Sequence, residues 1–198
     1  MRPGTTRLLL VVSAFVAGVV LCFGVILLVT GRGGHISAQT TAAIGGPFQL
    51  SDQDGKTVTD RDFKGHPFLV FFGFTNCPDV CPTTLFEISE VLRALGPDAD
   101  KINALFVTVD PERDTPEQIK DYLSSFDPHL RGLTGDPAAI NEMTRAYRVY
   151  AKKVPQGDSY TMDHTAIVYL MDKDGRFIAP FNLKRGSDEA AADLRKYL

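Results

Sequence analysis

The longest apolar stretch of the chain covers residues 8–29 and carries no charge. Its 22 residues would span about 33 Å as a helix, and the hydrocarbon core of a bilayer is about 30 Å thick. Arg2 and Arg7 precede the stretch, and only Arg32 follows it closely. Positive residues favour the cytoplasmic side. Residues 1–30 are therefore predicted to form a membrane anchor, with a single transmembrane helix at 8–29, that is followed by an exported C-terminal domain.

A cleaved signal peptide is the alternative for this segment. Such peptides have an apolar region of about 7–15 residues followed by a small-residue cleavage site. Here the stretch is longer, and residues 41–43 offer only a weak site. No Arg- and Ser-rich transit segment precedes the stretch. A single-pass protein of the bacterial plasma membrane, with its domain in the periplasm, is therefore favoured over the mitochondrial inner membrane.

The segment after the anchor changes in character. Residues 31–46 are rich in Gly, Ser, Thr and Ala, which predicts a flexible linker. The domain at 47–198 then begins with two short segments that flank Asp54 and Gly55, a pair typical of β-hairpin turns. An N-terminal β-hairpin is therefore expected.

The remainder of the domain alternates strands with helices. Residues 68–74 form a nearly continuous apolar run, which is typical of a strand buried on both faces. A helix follows, with apolar residues at helical spacing and a stop at Gly96 and Pro97. Further strands are predicted at 104–109, 130–134, 166–171 and 176–179. Further helices are predicted after the caps Thr115, Asp136 and Ser187, and the last of them is expected to run to residue 198. The secondary structure of residues 149–154 is ambiguous. This order predicts an α/β, thioredoxin-like domain. A larger doubly wound sheet is the alternative, but the chain has no Gly-rich phosphate loop.

Charge narrows the range of partners. The chain has a net charge of -3, and its first 34 residues carry three arginines and no acid. Removing those three positive charges leaves -6 for the rest. An acidic domain repels phosphate backbones, so nucleic acid is not an expected partner.

Two of the three cysteines lie where the buried strand gives way to a helix. Cys77 and Cys81 are separated by three residues, next to Pro78 and Pro82. Cys22 lies within the apolar stretch and is expected to be a small lipid-facing or packed hydrophobe. A helix start supplies free amides and a positive dipole end, so depressed thiol pKa values are expected. Two close thiolates suit a soft ion such as Cu(I), or Zn(II).

A third ligand is sought among the four histidines. His35, His66 and His129 lie in the linker or in surface turns, where a solvated role is expected. His164 lies in the loop just before the strand predicted at 166–171. In a thioredoxin-like topology this loop faces the cysteine turn, so His164 is the favoured third ligand. Asp163 could orient the imidazole ring of His164 without itself binding the metal, or it could simply cap the loop.

Three segments together resemble the Sco/SenC family of copper chaperones. They are residues 72–85, residues 109–116, and Asp163 to Ala166 with Tyr169 and Leu170. The resemblance covers about residues 44–198. Thr165 stands where the family often has serine, and Lys173 where proline is common. Residues 109–116 are also explained as a turn and helix cap, with partner docking by Asp110 or Asp114 as the alternative.

The resemblance implies a thioredoxin-like fold, an N-terminal membrane anchor and copper bound by Cys77, Cys81 and His164. The ion would be Cu(I), and also Cu(II) with an added ligand. The implied partner is cytochrome c oxidase subunit II, whose binuclear copper centre the protein would help to build. An upstream copper donor or thiol reductant would supply the protein.

Two enzymatic alternatives remain beside this metallochaperone role. A thiol-disulfide reductase would use Cys77 or Cys81 as its redox-active cysteine on the oxidase subunit, and it could coexist with copper delivery. Its usual motif has two intervening residues, whereas three stand here. A peroxiredoxin-like peroxidase would match Thr75, two residues before Cys77, but the proline expected upstream is missing from residues 68–72.

Overall fold

A computed structural model describes residues 15–25 and 44–198. Residues 15–25 are helical and form helix α1. Within the described residues, no helix combines the length and the apolar character needed to cross a membrane. The predicted anchor at 8–29 extends on both sides of α1, outside the described residues, as do most of residues 31–46. The chain divides into two units, residues 1–42 and residues 43–198.

The second unit is built on a mixed seven-stranded sheet in the order β2-β1-β5-β4-β3-β8-β9. Strands β3, β4 and β5 are parallel, whereas β8 runs antiparallel to β3 and β1 runs antiparallel to β5. The strands are β1 (Gln49–Asp52), β2 (Thr57–Thr59), β3 (Phe68–Gly73), β4 (Asn103–Thr108), β5 (Leu130–Thr134), β6 (Ala151–Gln156), β7 (Ser159–His164), β8 (Val168–Met171) and β9 (Phe177–Pro180). The helices are α2 (Val80–Leu95), α3 (Pro116–Leu123), α4 (Pro137–Ala146) and α5 (Ser187–Leu194). The predicted thioredoxin-like α/β fold with an N-terminal hairpin is confirmed for this unit.

The centre of the sheet is the core of the unit. All six residues of β3 are buried, and each large apolar side chain removed from water contributes about 1.5–3 kcal/mol. Helix α2 buries Leu85, Ile88, Leu92 and Leu95 and packs against α5. It ends at Gly96, whose φ of 60° suits glycine. The buried strand and this helix hold the loop between them, residues 74–79, in a defined place.

The caps of the later helices agree only in part with the sequence. Thr115 accepts a hydrogen bond from the Gln118 amide in a capping box, and Asp136 caps α4, both as predicted. The N-cap of α5 is Gly186 rather than Ser187, and the helix ends at Leu194 instead of running to residue 198. Ser187 is already helical and its hydroxyl makes no capping bond, because Gly186 takes the non-helical position with a φ of 79°.

The segment before β8 also differs from expectation. Residues 149–165 are not a loop: β6 and β7 form an antiparallel hairpin, a two-stranded sheet of its own. Every residue of β6 is exposed, so this strand lacks the alternation of buried and exposed positions that would have revealed it. His164 is the last residue of β7.

Candidate metal centre

Cys77 lies in the loop before α2, and Cys81 lies in the first turn of that helix. Cys77 is half-buried and Cys81 is fully buried, and both are free thiols. The Cys81 amide donates a hydrogen bond to Cys77 Sγ at 3.3 Å, so the first turn of the helix folds back onto the first sulfur. This amide and the positive end of the helix favour negative charge on a metal-bound sulfur.

The buried sulfur packs against the end of strand β3. A side chain at Gly73 would place its Cβ 2.9 Å from Cys81 Sγ and 2.8 Å from a ring carbon of Phe106. Gly73 is therefore the residue that leaves room for the thiol. Burial raises the pKa of Cys81 well above its ordinary range, so the low pKa expected from the helix start is wrong for this residue. The loss of solvation outweighs the helix dipole here.

His164 meets the cysteines from the opposite side, at the end of β7. Its Nε2 lies 3.6 Å from Cys81 Sγ, and Nδ1 lies 3.2 Å from the Thr165 carbonyl oxygen. A neutral ring that donates from Nδ1 to this carbonyl leaves the Nε2 lone pair facing the sulfurs. Burial lowers the pKa of His164, which keeps the ring neutral and ready to bind a metal. Thr165, and not Asp163, makes the hydrogen bond that orients the ring.

The ring is also held between aromatic side chains. Phe74 meets it edge-on with centroids 5.7 Å apart, and Phe71 does so at 6.5 Å. Contacts of this kind fix the plane of the imidazole. These two residues contribute to the site, but the sequence alone does not single them out, because they resemble ordinary core positions of the strand and its end.

The three side chains form one cluster. The ligand atoms of Cys77, Cys81 and His164 all lie within 4.8 Å of one another, so one ion could touch all three after small side-chain movements. A cavity of about 230 Å³ opens beside the cluster and is lined by Phe74, Cys77, Pro78 and His164 among others. Two sulfurs and one imidazole nitrogen form a donor set that suits soft or borderline ions such as Cu(I) and Zn(II).

The other candidate residues lie elsewhere. His66 Nδ1 is 3.1 Å from the Lys101 carbonyl oxygen, at the end of β3 opposite the cysteines. His129 is hydrogen-bonded to Asp127 and Asp100. Cys22 is exposed in α1, and His35 lies outside the described residues. Asp110 and Asp114 are fully buried, so the alternative in which they dock a partner is wrong.

Comparison with known proteins gives a consistent picture. The profile of the SCO1/SenC family matches residues 36–198. The human mitochondrial protein SCO1 homolog is 40% identical over 162 residues, which make up 78% of this chain and 53% of that protein. The chain therefore spans about half the length of this relative.

Solved structures agree with the family match. The structure of Bradyrhizobium japonicum ScoI with copper bound is 71% identical, covers 79% of this chain and 100% of that one, and has a TM-score of 0.78. BsSco, described as a member of the Sco family of cytochrome c oxidase assembly proteins with a disulfide switch, is 26% identical over 78% of this chain and 93% of its own, with a TM-score of 0.64. Copper, the cofactor predicted from the sequence, is thus present in a close structural relative. The chain belongs to the SCO1/SenC family.

Proposed function

We propose that this protein is a copper metallochaperone that binds one copper ion through Cys77, Cys81 and His164. The observation that carries the proposal is the convergence of two sulfurs and one imidazole nitrogen within 4.8 Å. A soft trigonal donor set of this kind favours Cu(I), and the copper-bound ScoI relative supports copper as the metal. Cu(II) would need a further ligand, for which the adjoining cavity offers room.

Competition titration tests the metal site. The reduced protein should take one Cu(I) per chain from a chromophoric chelator. Cys77→Ser, Cys81→Ser and His164→Ala should each weaken binding without unfolding the domain. His66→Ala is the matched control, because His66 is a histidine of the same domain at the other end of β3. A doubly substituted Cys77→Ser/Cys81→Ser protein with wild-type copper affinity would refute the proposal.

The delivery step is part of the same proposal. The copper would pass by ligand exchange to the binuclear centre of cytochrome c oxidase subunit II, whose thiols can replace those of the chaperone. Half-exposed Cys77, beside the open cavity, is the ligand that an incoming thiol could reach first. The support is the described membership of BsSco in a family of oxidase assembly proteins. The test is to mix the copper-loaded protein with the metal-free subunit II domain, separate the two and measure their copper; copper retained entirely by the chaperone would argue against delivery.

The cellular placement is also a proposal. Residues 8–29 would anchor the chain in the bacterial plasma membrane, with the copper-binding domain in the periplasm. Its support is the uncharged stretch of 22 residues and the arginines that precede it. Carbonate extraction of membranes and protease treatment of spheroplasts would test the two parts. Release of the protein by carbonate, or protection of the domain in spheroplasts, would contradict the placement.

A thiol-disulfide reductase is the second candidate, since BsSco is described as having a disulfide switch. In that role half-exposed Cys77 would attack the target disulfide, and buried Cys81 would resolve the mixed disulfide. Cys81→Ser should then trap a covalent complex with an oxidised subunit II domain, and Cys77→Ser should not. If neither variant traps the target, the reductase role fails while the copper proposal stands.

A further inference from the structure

The histidine of the metal centre is carried by an isolated hairpin. Strands β6 and β7 pair with each other and form a sheet separate from the seven-stranded one. All six residues of β6 are exposed. The hydrogen bonds of the main sheet therefore do not include the hairpin that carries His164, and contacts between the hairpin and the core help to determine where the histidine lies.

Arg113 makes several of these contacts. Its Nη1 donates to the Tyr160 carbonyl oxygen at 2.9 Å, and its guanidinium lies 3.8 Å above the centre of the Tyr160 ring. Arg113 Nε donates to Asp110 Oδ2, and the Tyr160 hydroxyl donates to Asp110 Oδ1 at 2.9 Å. The three residues thus form a closed ring of bonds. Tyr160 lies in β7, four residues before His164.

A second contact joins the same two segments but contributes less. Lys153 of β6 pairs with Glu112 at 2.5 Å, and the two side chains are 44% and 55% exposed. Exposed ion pairs contribute little to stability because water screens them. The Asp110 side chain is fully buried and that of Arg113 is 23% exposed, so the Arg113 ring of bonds is the stronger restraint.

The same turn also holds the cysteine loop, through Asp114. Its buried carboxylate accepts hydrogen bonds from the Thr75 amide at 3.1 Å and from the Thr75 hydroxyl at 2.6 Å. The Thr108 hydroxyl, at the end of β4, donates to it as well at 2.6 Å. Thr75 comes two residues before Cys77. Charge-assisted bonds to a buried carboxylate are among the stronger hydrogen bonds in proteins, so this contact fixes where the loop leaves β3.

We propose that the turn at residues 110–114 is a bridge that sets the spacing between the cysteines and the histidine. Arg113 is a positioning residue for His164, and Asp114 is one for the loop of Cys77. Neither touches the metal. The inference rests on the proposed function, since it concerns the same three ligands, and it assigns to the turn a role in holding the site together that differs from a simple helix cap.

The test is a double-mutant cycle on Cu(I) affinity. Arg113→Leu should weaken binding by about 10- to 100-fold, the range typical when a residue that orients a metal ligand is lost. In a His164→Ala background the same substitution should cause no further loss, because Arg113 acts through the histidine. Arg176→Leu is the matched control: Arg176 is 76% exposed and pairs with Asp174 in the turn before β9. It should leave affinity unchanged.

A spectroscopic signature separates positioning from folding. Nitrogen hyperfine coupling in the electron paramagnetic resonance of the Cu(II) form should be lost or altered in Arg113→Leu and retained in Arg176→Leu. Equal losses of Cu(I) affinity in the wild-type and His164→Ala backgrounds, or no loss in either, would overturn the bridge. If circular dichroism shows that Arg113→Leu does not fold, Tyr160→Phe replaces it under the same criterion, because it removes only the hydroxyl that binds Asp110.

A metal-free measurement keeps this inference apart from the proposed function. In the apoprotein, Arg113→Leu should speed amide hydrogen exchange in β7 while β3 and β4 remain protected. If the wild type binds no copper through the three ligands, the proposed function fails, and the exchange experiment still decides whether the turn holds the hairpin. Unchanged exchange in β7 would overturn the bridge whatever the result with copper.

Discussion

A substitution at Gly73 is the most direct test of how the metal centre depends on the packing around Cys81. Gly73 is the last residue of β3, and a Cβ at this position would lie 2.9 Å from Cys81 Sγ, 2.8 Å from a ring carbon of Phe106 and 3.2 Å from one of Phe71. All three neighbouring side chains are fully buried. The substitution Gly73→Ala therefore adds one methyl group where no space is left for it.

The size of the effect follows from these distances. Non-bonded heavy atoms are in favourable contact at about 3.5–4.0 Å, so the sulfur of Cys81 would have to move by about 0.5 Å or more. Metal–ligand distances vary by only about 0.2 Å, which is less than this displacement. Overpacking of a core costs about 1–3 kcal/mol. Gly73→Ala should therefore lower the free energy of unfolding by that amount and weaken copper binding by about 10-fold or more, although no ligand has been removed.

Urea unfolding of the apoprotein and chelator competition for Cu(I) measure the two effects. Gly46→Ala is the matched control, because its Cβ would meet only Ala146 Cβ at 3.4 Å, an ordinary contact. That variant should match the wild type in copper affinity and be equal or slightly higher in stability. Wild-type unfolding and wild-type copper affinity in Gly73→Ala would refute the reasoning, since they would mean that the sulfur and the two rings have room to yield.

Three further outcomes can be measured on the apoprotein by urea unfolding. Burial raises the pKa of Cys81 above its ordinary value of 9.0, so the folded state keeps a proton that the unfolded chain releases. The free energy of unfolding should fall as the pH rises past about 9, and less steeply in Cys81→Ser; a flat wild-type curve would contradict the burial argument. Burial lowers the pKa of His164 below 6.5, so the unfolded chain binds the extra proton, and stability should fall as the pH drops below about 6.5, less steeply in His164→Ala; equal slopes in the two proteins would contradict the burial of the ring. Asp114→Asn should cost about 1–3 kcal/mol, because an amide nitrogen cannot accept the bonds that Thr75 and Thr108 donate; wild-type stability in this variant would count against the role of Asp114.

The parts of the fold that follow from the sequence are those with a strong local signal. The strand at 68–73 is apolar at every position except its final glycine, and α2 shows helical spacing that ends at Gly96. The hairpin of β6 and β7 has neither signal. Strand β6 is exposed throughout and contains two lysines and a proline. Its position is therefore determined by its pairing with β7 and by the turn that joins the two strands, and not by burial of its side chains. From the sequence alone, the segment that carries His164 is therefore predicted to be a loop.

The metal centre can likewise be predicted from the sequence only in part. Residue type, spacing and the place of His164 in a thioredoxin-like topology select Cys77, Cys81 and His164 as candidate ligands, because two close thiols suit a soft ion. The environment of the ligands could not be derived in this way. A helix start predicts a low thiol pKa, yet burial of Cys81 against Gly73 reverses the direction, and that contact depends on how β3 and α2 pack. Likewise, the role of Arg113 requires Tyr160 to lie above it, 47 residues away in sequence. Ligands can be recognised from their own chemistry, whereas the residues that position them are defined by contacts between distant segments and become visible only in the folded domain.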